Sequence, residues 1–312
     1  MSEQQPNWER EVLEKLALSA IQEQRRTRHW SILFKTLGFL YLFIVLFMVA
    51  GWFGSDGVSI KEHTALVDLQ GVIAADQASA DSVIASLQGA FDDKKTKGVV
   101  LRINSPGGSP VQAGQIYDEI KRLRAKHPNI PLYAVVDDIC ASGGYYVAAG
   151  ADRIFVDKAS IVGSIGVLMD GFGFTQTMEK LGVERRLLTA GENKGFLDPF
   201  SPVDPRQQAF AKQMLEEIHG QFIGVVREGR GKRLKETPEM FSGLVWSGET
   251  SIQLGLADGL GSVESVARDV VKAEDIVDYT RQESLAERLA GRLGATMAKA
   301  WGPFEKTGVV LR

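Results

Sequence analysis

Cysteine is almost absent from this sequence: Cys140 is the only one among 312 residues. A single cysteine excludes an intrachain disulfide and leaves the redox compartment unreadable. No Cys/His pairing has the spacing of a zinc site. No glycine-rich loop is followed by the Lys-Ser/Thr of a phosphate cradle. Histidine is scarce too: His29, His63, His127 and His219 complete the set. There is no internal repeat and no low-complexity tract. Charge is nearly balanced, with a formal net charge of −3, so nothing argues for a nucleic-acid partner and none is expected. What remains is an ordinary apolar fraction of 44%. That is enough core for one large domain, or two small ones, plus appendages.

Long hydrophobic runs are also lacking, with one exception. Thr36 to Phe53 is uncharged over 18 residues, about the minimum for a membrane-spanning helix. Arg25, Arg26, Arg28 and Lys35 precede it, which predicts a cytoplasmic N-terminus and a translocated remainder. Trp30, Tyr41 and Trp52 suit the interfaces. A cleaved signal peptide is the competing interpretation. The long segment before the run and the poor cleavage site Gly51-Trp52-Phe53-Gly54 argue against it. Before the run, Leu13, Leu16, Ala17, Ala20 and Ile21 recur at helical steps between Trp8 and Gln24. That helix fits the membrane face or a partner equally with a fraying surface helix.

After a linker, strands alternate with helices. Strands are predicted at Ala65–Leu69, Gly98–Ile103, Tyr133–Val136 and Arg153–Val156. Helices are predicted at Asp81–Phe91, Gln112–Ala125 and from Ser142 onward. This alternation means βαβ units and a parallel sheet. Ser160–Val167 is expected to fold back over the sheet. Thr175–Leu181 looks helical and Glu184–Leu188 strand-like, ahead of a loop from Thr189 to Pro205. A long amphipathic helix follows, about Arg206 to Arg227, then shorter helices near Ser247–Leu254 and Val263–Lys272. Ile276–Tyr279 reads as an edge strand and Glu283–Trp301 as an amphipathic helix. The expected domains are a cytoplasmic segment 1–35, a span 36–53, a linker 54–63, a catalytic domain 64–273 and a C-terminal strand and tail 274–312.

Two strand ends meet glycine-rich turns, Asn104-Ser105-Pro106-Gly107-Gly108-Ser109 and Ala141-Ser142-Gly143-Gly144. In open α/β sheets ligands bind at such carboxyl-end turns. A serine between strand and helix has an exposed hydroxyl beside helix N-terminal amides, which can stabilise an oxyanion. Ser142 is therefore a candidate nucleophile; a helix N-cap serine is the plainer alternative. A nucleophilic serine needs a base. His29 precedes the span, His63 starts the soluble region and His127 sits at a helix end. Only His219 keeps a Ser-His arrangement open. The other candidate is Lys194, set among Gly195, Phe196 and Leu197. A lysine base must be neutral near pH 7, which burial favours, and Glu192 nearby opposes it. On local sequence alone Lys194 fits a surface loop at least as well.

Four motifs in order carry a resemblance: Asn104-Ser105-Pro106-Gly107-Gly108, Ala141-Ser142-Gly143-Gly144-Tyr145-Tyr146, Gly163-Ser164-Ile165-Gly166-Val167, and Ala190-Gly191-Glu192-Asn193-Lys194 ahead of Asp198-Pro199. From about Lys61 to Gly261 the chain resembles a half-length member of the signal peptide peptidase A family, membrane-anchored Ser/Lys proteases related to the Clp protease and crotonase folds. The resemblance implies an α/β fold of repeated ββα/βαβ units in a translocated domain, preceded by one transmembrane helix. It implies Ser142 as nucleophile, Lys194 as general base and Ser164 as the hydroxyl that orients the lysine. It places the oxyanion hole at the amides of Gly108 and Gly143, with no metal and no organic cofactor.

It further implies a homo-oligomeric ring whose active sites are shared between subunits, in a bacterial inner membrane, with the catalytic domain periplasmic or otherwise extracytoplasmic. The substrates would be released signal peptides and other short hydrophobic peptides. The segment before the span is longer than the family minimum and has no assigned role. Two rivals stand beside this. A crotonase-like acyl-CoA enzyme would use similar glycine turns, but lacks a Ser142–Lys194 pair and needs coenzyme A outside the cytoplasm. A non-catalytic anchored scaffold would leave Ser142 unreactive toward a covalent serine probe.

Overall fold

The computed structural model describes residues 6–49 and 61–281. It divides into two units, Met1–Val58 with Gln282–Arg312, and Ser59–Arg281. In the first unit the described residues form one helix, α1 (Pro6–Val49). At 1.5 Å per residue it is about 66 Å long. The sequence suggested an amphipathic helix, a basic cluster and then a span; no proline or glycine pair interrupts them, and the structure joins them. The stretch Val12–Phe47 is long and apolar enough to cross a membrane by length and composition. Residues 54–60 of the expected linker, the end of the apolar run from residue 50, and the tail helix Glu283–Trp301 lie outside the described residues; the linker's last residue, His63, is already the first of a strand.

The second unit is a mixed sheet with helices. Its first half is β1 (His63–Gln70), α2 (Ala80–Asp92), β2 (Thr96–Ser105), α3 (Pro110–Lys126), β3 (Leu132–Ala141), α4 (Gly143–Ala148), β4 (Arg153–Val156) and β5 (Ile161–Gly163). Then come α5 (Thr175–Lys180), α6 (Pro205–Arg230), β6 (Val245–Ser247), α7 (Gly248–Gln253), β7 (Gly259–Leu260), α8 (Val263–Ser265) and β8 (Ile276–Asp278). Caps set the helix starts. Ser79, Ser109 and Asp204 accept first-turn N–H groups, and Pro110 and Pro205 open their helices where a missing N–H costs nothing.

The sheet order is β6-β5-β3-β2-β1-β8, with β4 between β3 and β7. All pairs are parallel except β5 with β6. Alternate residues fill two apolar layers. Val67, Leu69, Leu101 and Ile103 meet Val83 and Leu87 of α2 and Ile116 and Ile120 of α3. Leu66, Val100 and Val135 face Val263 and Val266 on the other side. A sheet covered on both faces explains the nearly unbroken apolar runs in β1 to β3. This is the α/β, Clp protease-like fold the sequence predicts, with one apolar N-terminal helix.

Several boundaries differ. The apolar run of β3 stops at Val136, but the strand continues through Asp137 and Asp138 to Ala141. It can do so because it changes partner: Tyr133–Val135 pair with β4, and Ile139–Ala141 with β5. The carboxylates sit where one neighbour has left and the next has not begun. Asp138 accepts from the Asn104 amide there, and Asp137 lies 3.9 Å from the Arg102 guanidinium. Ile161–Gly163 correspondingly joins the sheet rather than folding over it. Glu184–Leu188 is not a strand: it is exposed and irregular, with no sheet edge beside it. The predicted helix 263–272 is one α-turn followed by a π-helical stretch, Val266–Val271. Ile276–Asp278, grouped with the tail by sequence, is hydrogen-bonded to β1.

Candidate active site

The turn after β3 builds the site. Ser142 has φ 53° and ψ −123°, a conformation costly for a residue with a Cβ and held only where its surroundings over-determine it. Two bonds do so: Ser142 N donates to the Gly163 carbonyl at 2.8 Å, and Tyr146 N donates to the Ser142 carbonyl at 3.0 Å. The side chain takes no part. Ser142 precedes α4 but makes no capping hydrogen bond, and its hydroxyl has no partner among the described residues. The N-cap alternative is therefore not what the turn uses.

The turn after β2 reaches the same point from the adjacent strand. Gly107 has φ 99°, and a Cβ there would fall 2.6 Å from the Gly143 nitrogen and 2.7 Å from the Ser142 Cβ. At Gly108 a Cβ would fall 2.2 Å from the Ile73 carbonyl oxygen. Only glycine permits these approaches. A Cβ on Gly143 would stand 3.2 Å from the Gly108 nitrogen, so these two segments of backbone pack closely beside Ser142. Gly143 is the first residue of α4, and its N–H has no acceptor within the helix.

Ser164 follows β5 with φ 51°, and its N–H donates to the Leu244 carbonyl at 2.7 Å. Ser142, Ser164, Gly108 and Gly143 line one cavity of about 540 Å³. Its other walls are mainly apolar: Tyr146 from α4, Ile218 and Phe222 from α6, and Val167 and Leu168 after Ser164. Tyr146 is fixed between Tyr117 and Phe222, with ring centroids 5.6 and 5.1 Å away. Its neighbour Tyr145 is buried and donates to the Leu256 carbonyl at 2.8 Å, which ties α4 down.

Other candidate bases and nucleophiles fall away on geometry. Burial pushes the Tyr146 hydroxyl up. Burial first, and then Glu228, push Tyr117 up to about 12, so both stay protonated near neutrality. Cys140 is fully buried and its thiol is pushed up by that burial, which leaves it inert. His219 is engaged with the Ile165 carbonyl at 3.2 Å. His63 is buried against Tyr279, and His127 packs on Phe91. None of the three lines the cavity.

Lys194 is not brought to Ser142 within this chain. It lies exposed in a turn closed by Lys194 N donating to the Gly191 carbonyl at 3.1 Å, and does not line the cavity. The ammonium makes no hydrogen bond or ion pair among the described residues. Its loop instead borders a larger groove of about 1050 Å³, lined by Glu192, Gly195 and the start of α6, which contains neither Ser142 nor Ser164. Sequence reasoning also missed the cavity walls and Ser105. Tyr146 carried a signal, standing one helical turn after Ser142, and Phe222 lay on the predicted apolar face of α6. Ser105 carried none: its hydroxyl accepts from Gly107 N at 3.1 Å, a contact within the turn that only coordinates reveal.

Comparison with known proteins places the chain in a family. A family model for peptidase family S49 matches residues 124–277, and one for Clp protease matches residues 62–162. A Synechocystis protein named as a protease is 30% identical over 264 residues, covering 79% of this chain and 93% of that protein. Protease 4 of Haemophilus influenzae is 30% identical over 234 residues, 73% of this chain and 37% of that protein. A Brucella melitensis protein named Na(+)/H(+) antiporter NhaA is 46% identical over 190 residues, 61% of this chain. The match spans only 26% of that longer protein's length. With its Clp protease-like sheet and its similarity to a protease-named protein over nearly that protein's whole length, the chain belongs to peptidase family S49, the signal peptide peptidase A family of serine peptidases.

Proposed function

We propose that this protein is a membrane-anchored serine endopeptidase working through Ser142 and Lys194. The observation that carries the reading is the Ser142 hydroxyl, unbonded at a strained strand-to-helix turn, in a cavity with the backbone of Gly108 and Gly143. Ser142 Oγ attacks the scissile carbonyl and the Lys194 amine takes its proton. The tetrahedral oxyanion is held by the Gly108 and Gly143 amides, and each such donor lowers the barrier by about 3 kcal/mol. Lys194 returns the proton to the leaving amine, and water then hydrolyses the acyl-Ser142 ester. Ser164, in the same cavity, orients the lysine. The apolar walls Tyr146, Ile218 and Phe222 suit hydrophobic side chains, in keeping with short hydrophobic peptides such as released signal peptides.

In this reading Lys194 comes from a neighbouring subunit. Its exposed loop, set apart from the Ser142 cavity, supports that, since one chain carries each group but does not unite them. The assembly would be a head-to-tail ring, anchored by α1 with the N-terminus in the cytoplasm and the sheet domain outside it. The antiporter name belongs to the longer Brucella proteins and is not carried over. A fluorophosphonate probe tests the nucleophile: the assembled protein should be labelled at Ser142, with labelling lost in Ser142→Ala and strongly slowed in Lys194→Ala. Undiminished labelling of a folded Ser142→Ala would remove Ser142 from the mechanism.

A further inference from the structure

The loop that carries Gly108 is held by more than its glycines. Gly107 has φ 99°, and the peptide planes on both of its sides are fastened. On one side Gly107 N–H donates to the Ser105 hydroxyl at 3.1 Å, inside the protein. On the other the Gly107 carbonyl accepts from Ile73 N at 2.8 Å. The Ile73 carbonyl accepts in turn from Ser109 N at 2.8 Å, and the two bonds bracket Gly108 in a parallel bridge. That bridge uses the amides of residues 73 and 109 and leaves the Gly108 N–H out.

The geometry of a trans peptide supplies the next step. No cis peptide occurs among the described residues. In a trans unit the carbonyl and the following N–H point in opposite directions. The Gly107 carbonyl is aimed at Ile73, so the Gly108 N–H points away from Ile73, toward the side where Ser142 and Gly143 stand. A rotation of this one peptide unit would turn the donor out of the cavity. Glycine resists such a rotation less than any other residue, so the resistance has to come from the two fastenings. Ser105 is fully buried, and the adjoining Gly144 is so close that a Cβ there would fall 3.0 Å from the Ser105 carbonyl oxygen. The hydroxyl therefore has little freedom to leave the Gly107 amide.

We propose that Ser105 is a positioning residue for the oxyanion site: with the Ile73 main chain, it locks the peptides around Gly107 so that the Gly108 N–H faces the acyl oxygen of a substrate at Ser142. This role rests on reading the Gly108 and Gly143 amides as the oxyanion donors. Ser105 touches neither substrate nor nucleophile. Its effect should appear only where negative charge develops on the substrate oxygen, as with any donor aimed at the transition state rather than the ground state.

The test uses the full-length assembled protein, a fluorogenic peptide with an apolar residue at the cleavage point, and the matching peptide aldehyde. The aldehyde carbon forms a bond to Ser142 Oγ and its oxygen becomes the oxyanion, so it reports on the donors. Ser105→Ala should lower kcat about tenfold with KM nearly unchanged, short of the hundredfold or greater loss that follows outright removal of a donor. Aldehyde affinity should fall by the same factor as kcat/KM. Wild-type kinetics in folded Ser105→Ala, a loss confined to KM, or unchanged aldehyde affinity would each overturn the role. Ser142→Ala separates this from the underlying reading. Activity surviving there overturns the site itself, whereas an inactive Ser142→Ala beside an unimpaired Ser105→Ala overturns only the role of Ser105. Should Ser105→Ala not fold, Ser105→Cys keeps a weak acceptor of similar size. Measured under reducing conditions it should show a smaller loss in the same pattern, and wild-type kinetics would overturn the role.

Discussion

The region around Ser142 and the region around Lys194 belong to one unit but are built differently. Ser142 sits where β2, β3, β5 and α4 converge, and the turn's backbone is held by packing and hydrogen bonds within the chain. From Val167 to Val203 the chain carries the short helix α5 and otherwise irregular structure, with its apolar residues outward. Leu188 is 97% exposed, Leu168 79% and Phe172 78%. Several large apolar side chains left exposed along one segment suit contact with another molecule. The first region completes its own geometry. The second has side chains whose burial needs something beyond this chain, and it carries Lys194. Under the proposed Ser142–Lys194 mechanism, a self-contained half and an unsatisfied half would make assembly the step that completes the enzyme.

The largest effects should come from the two reacting groups. Ser142→Ala and Lys194→Ala should each lower kcat/KM by about 10⁴-fold or more, since members of a catalytic unit fail together. Their melting curves should stay close to wild type, because neither side chain holds the fold. Substantial peptidase activity in a folded Lys194→Ala protein would end the division of labour between the two regions.

A stability effect confined to the self-contained region comes next. Arg230 is 1% exposed and forms a bidentate pair with Asp258, whose carboxylate also accepts from Ile154 N at 2.7 Å. Burial opposes ionisation of Asp258, but the Arg230 hydrogen bonds outweigh it and the pKa is lowered. A depressed carboxylate contributes stability above its unfolded pKa and loses it as pH falls through the folded value. Arg230→Met leaves the Asp258 carboxylate with only Arg233, 3.2 Å away, and Ile154 N, and should cost about 3 kcal/mol of unfolding free energy. It should also weaken the dependence of stability on pH below about pH 4. Urea unfolding at pH 7 and at pH 3 measures both. A cost no larger than that of an exposed ion pair would show that this region is not held as described.

The smallest effect on folding sharpens the contrast. Leu188→Ser removes an exposed apolar group, so unfolding free energy should change by no more than about 0.5 kcal/mol. Sedimentation should nevertheless show weaker assembly, and activity should fall with it. An unchanged assembly would take Leu188 out of any interface.

Legibility in the sequence followed the same division. Where a strand is buried on both faces, as in Val99–Leu101, composition reveals it, and the glycine turns at Gly107 and Ser142 were visible because close backbone approach leaves no other residue type. The end of β3 was not legible, because Asp137 and Asp138 look like a break, and only the exchange of β4 for β5 keeps the strand going. Glu184–Leu188 failed in the opposite way: its pattern suits a strand, but no edge stands beside it. Ser142 could be singled out from its turn and its neighbours. Lys194 was marked only by its apolar neighbours Gly195, Phe196 and Leu197, which suit a surface loop better, and its assignment as the base came from family resemblance.

Complementation between two inactive variants measures most directly whether the regions act across a subunit boundary. Ser142→Ala keeps the lysine and Lys194→Ala keeps the serine. Co-expressed at equal amounts in a cyclic, heterologous ring, they should unite an intact Ser142 with an intact Lys194 at about a quarter of interfaces. Activity should return to about a quarter of wild type. The same variants mixed after separate assembly should remain inactive. No recovery in rings verified to contain both variants would contradict the shared site and return both groups to a single chain.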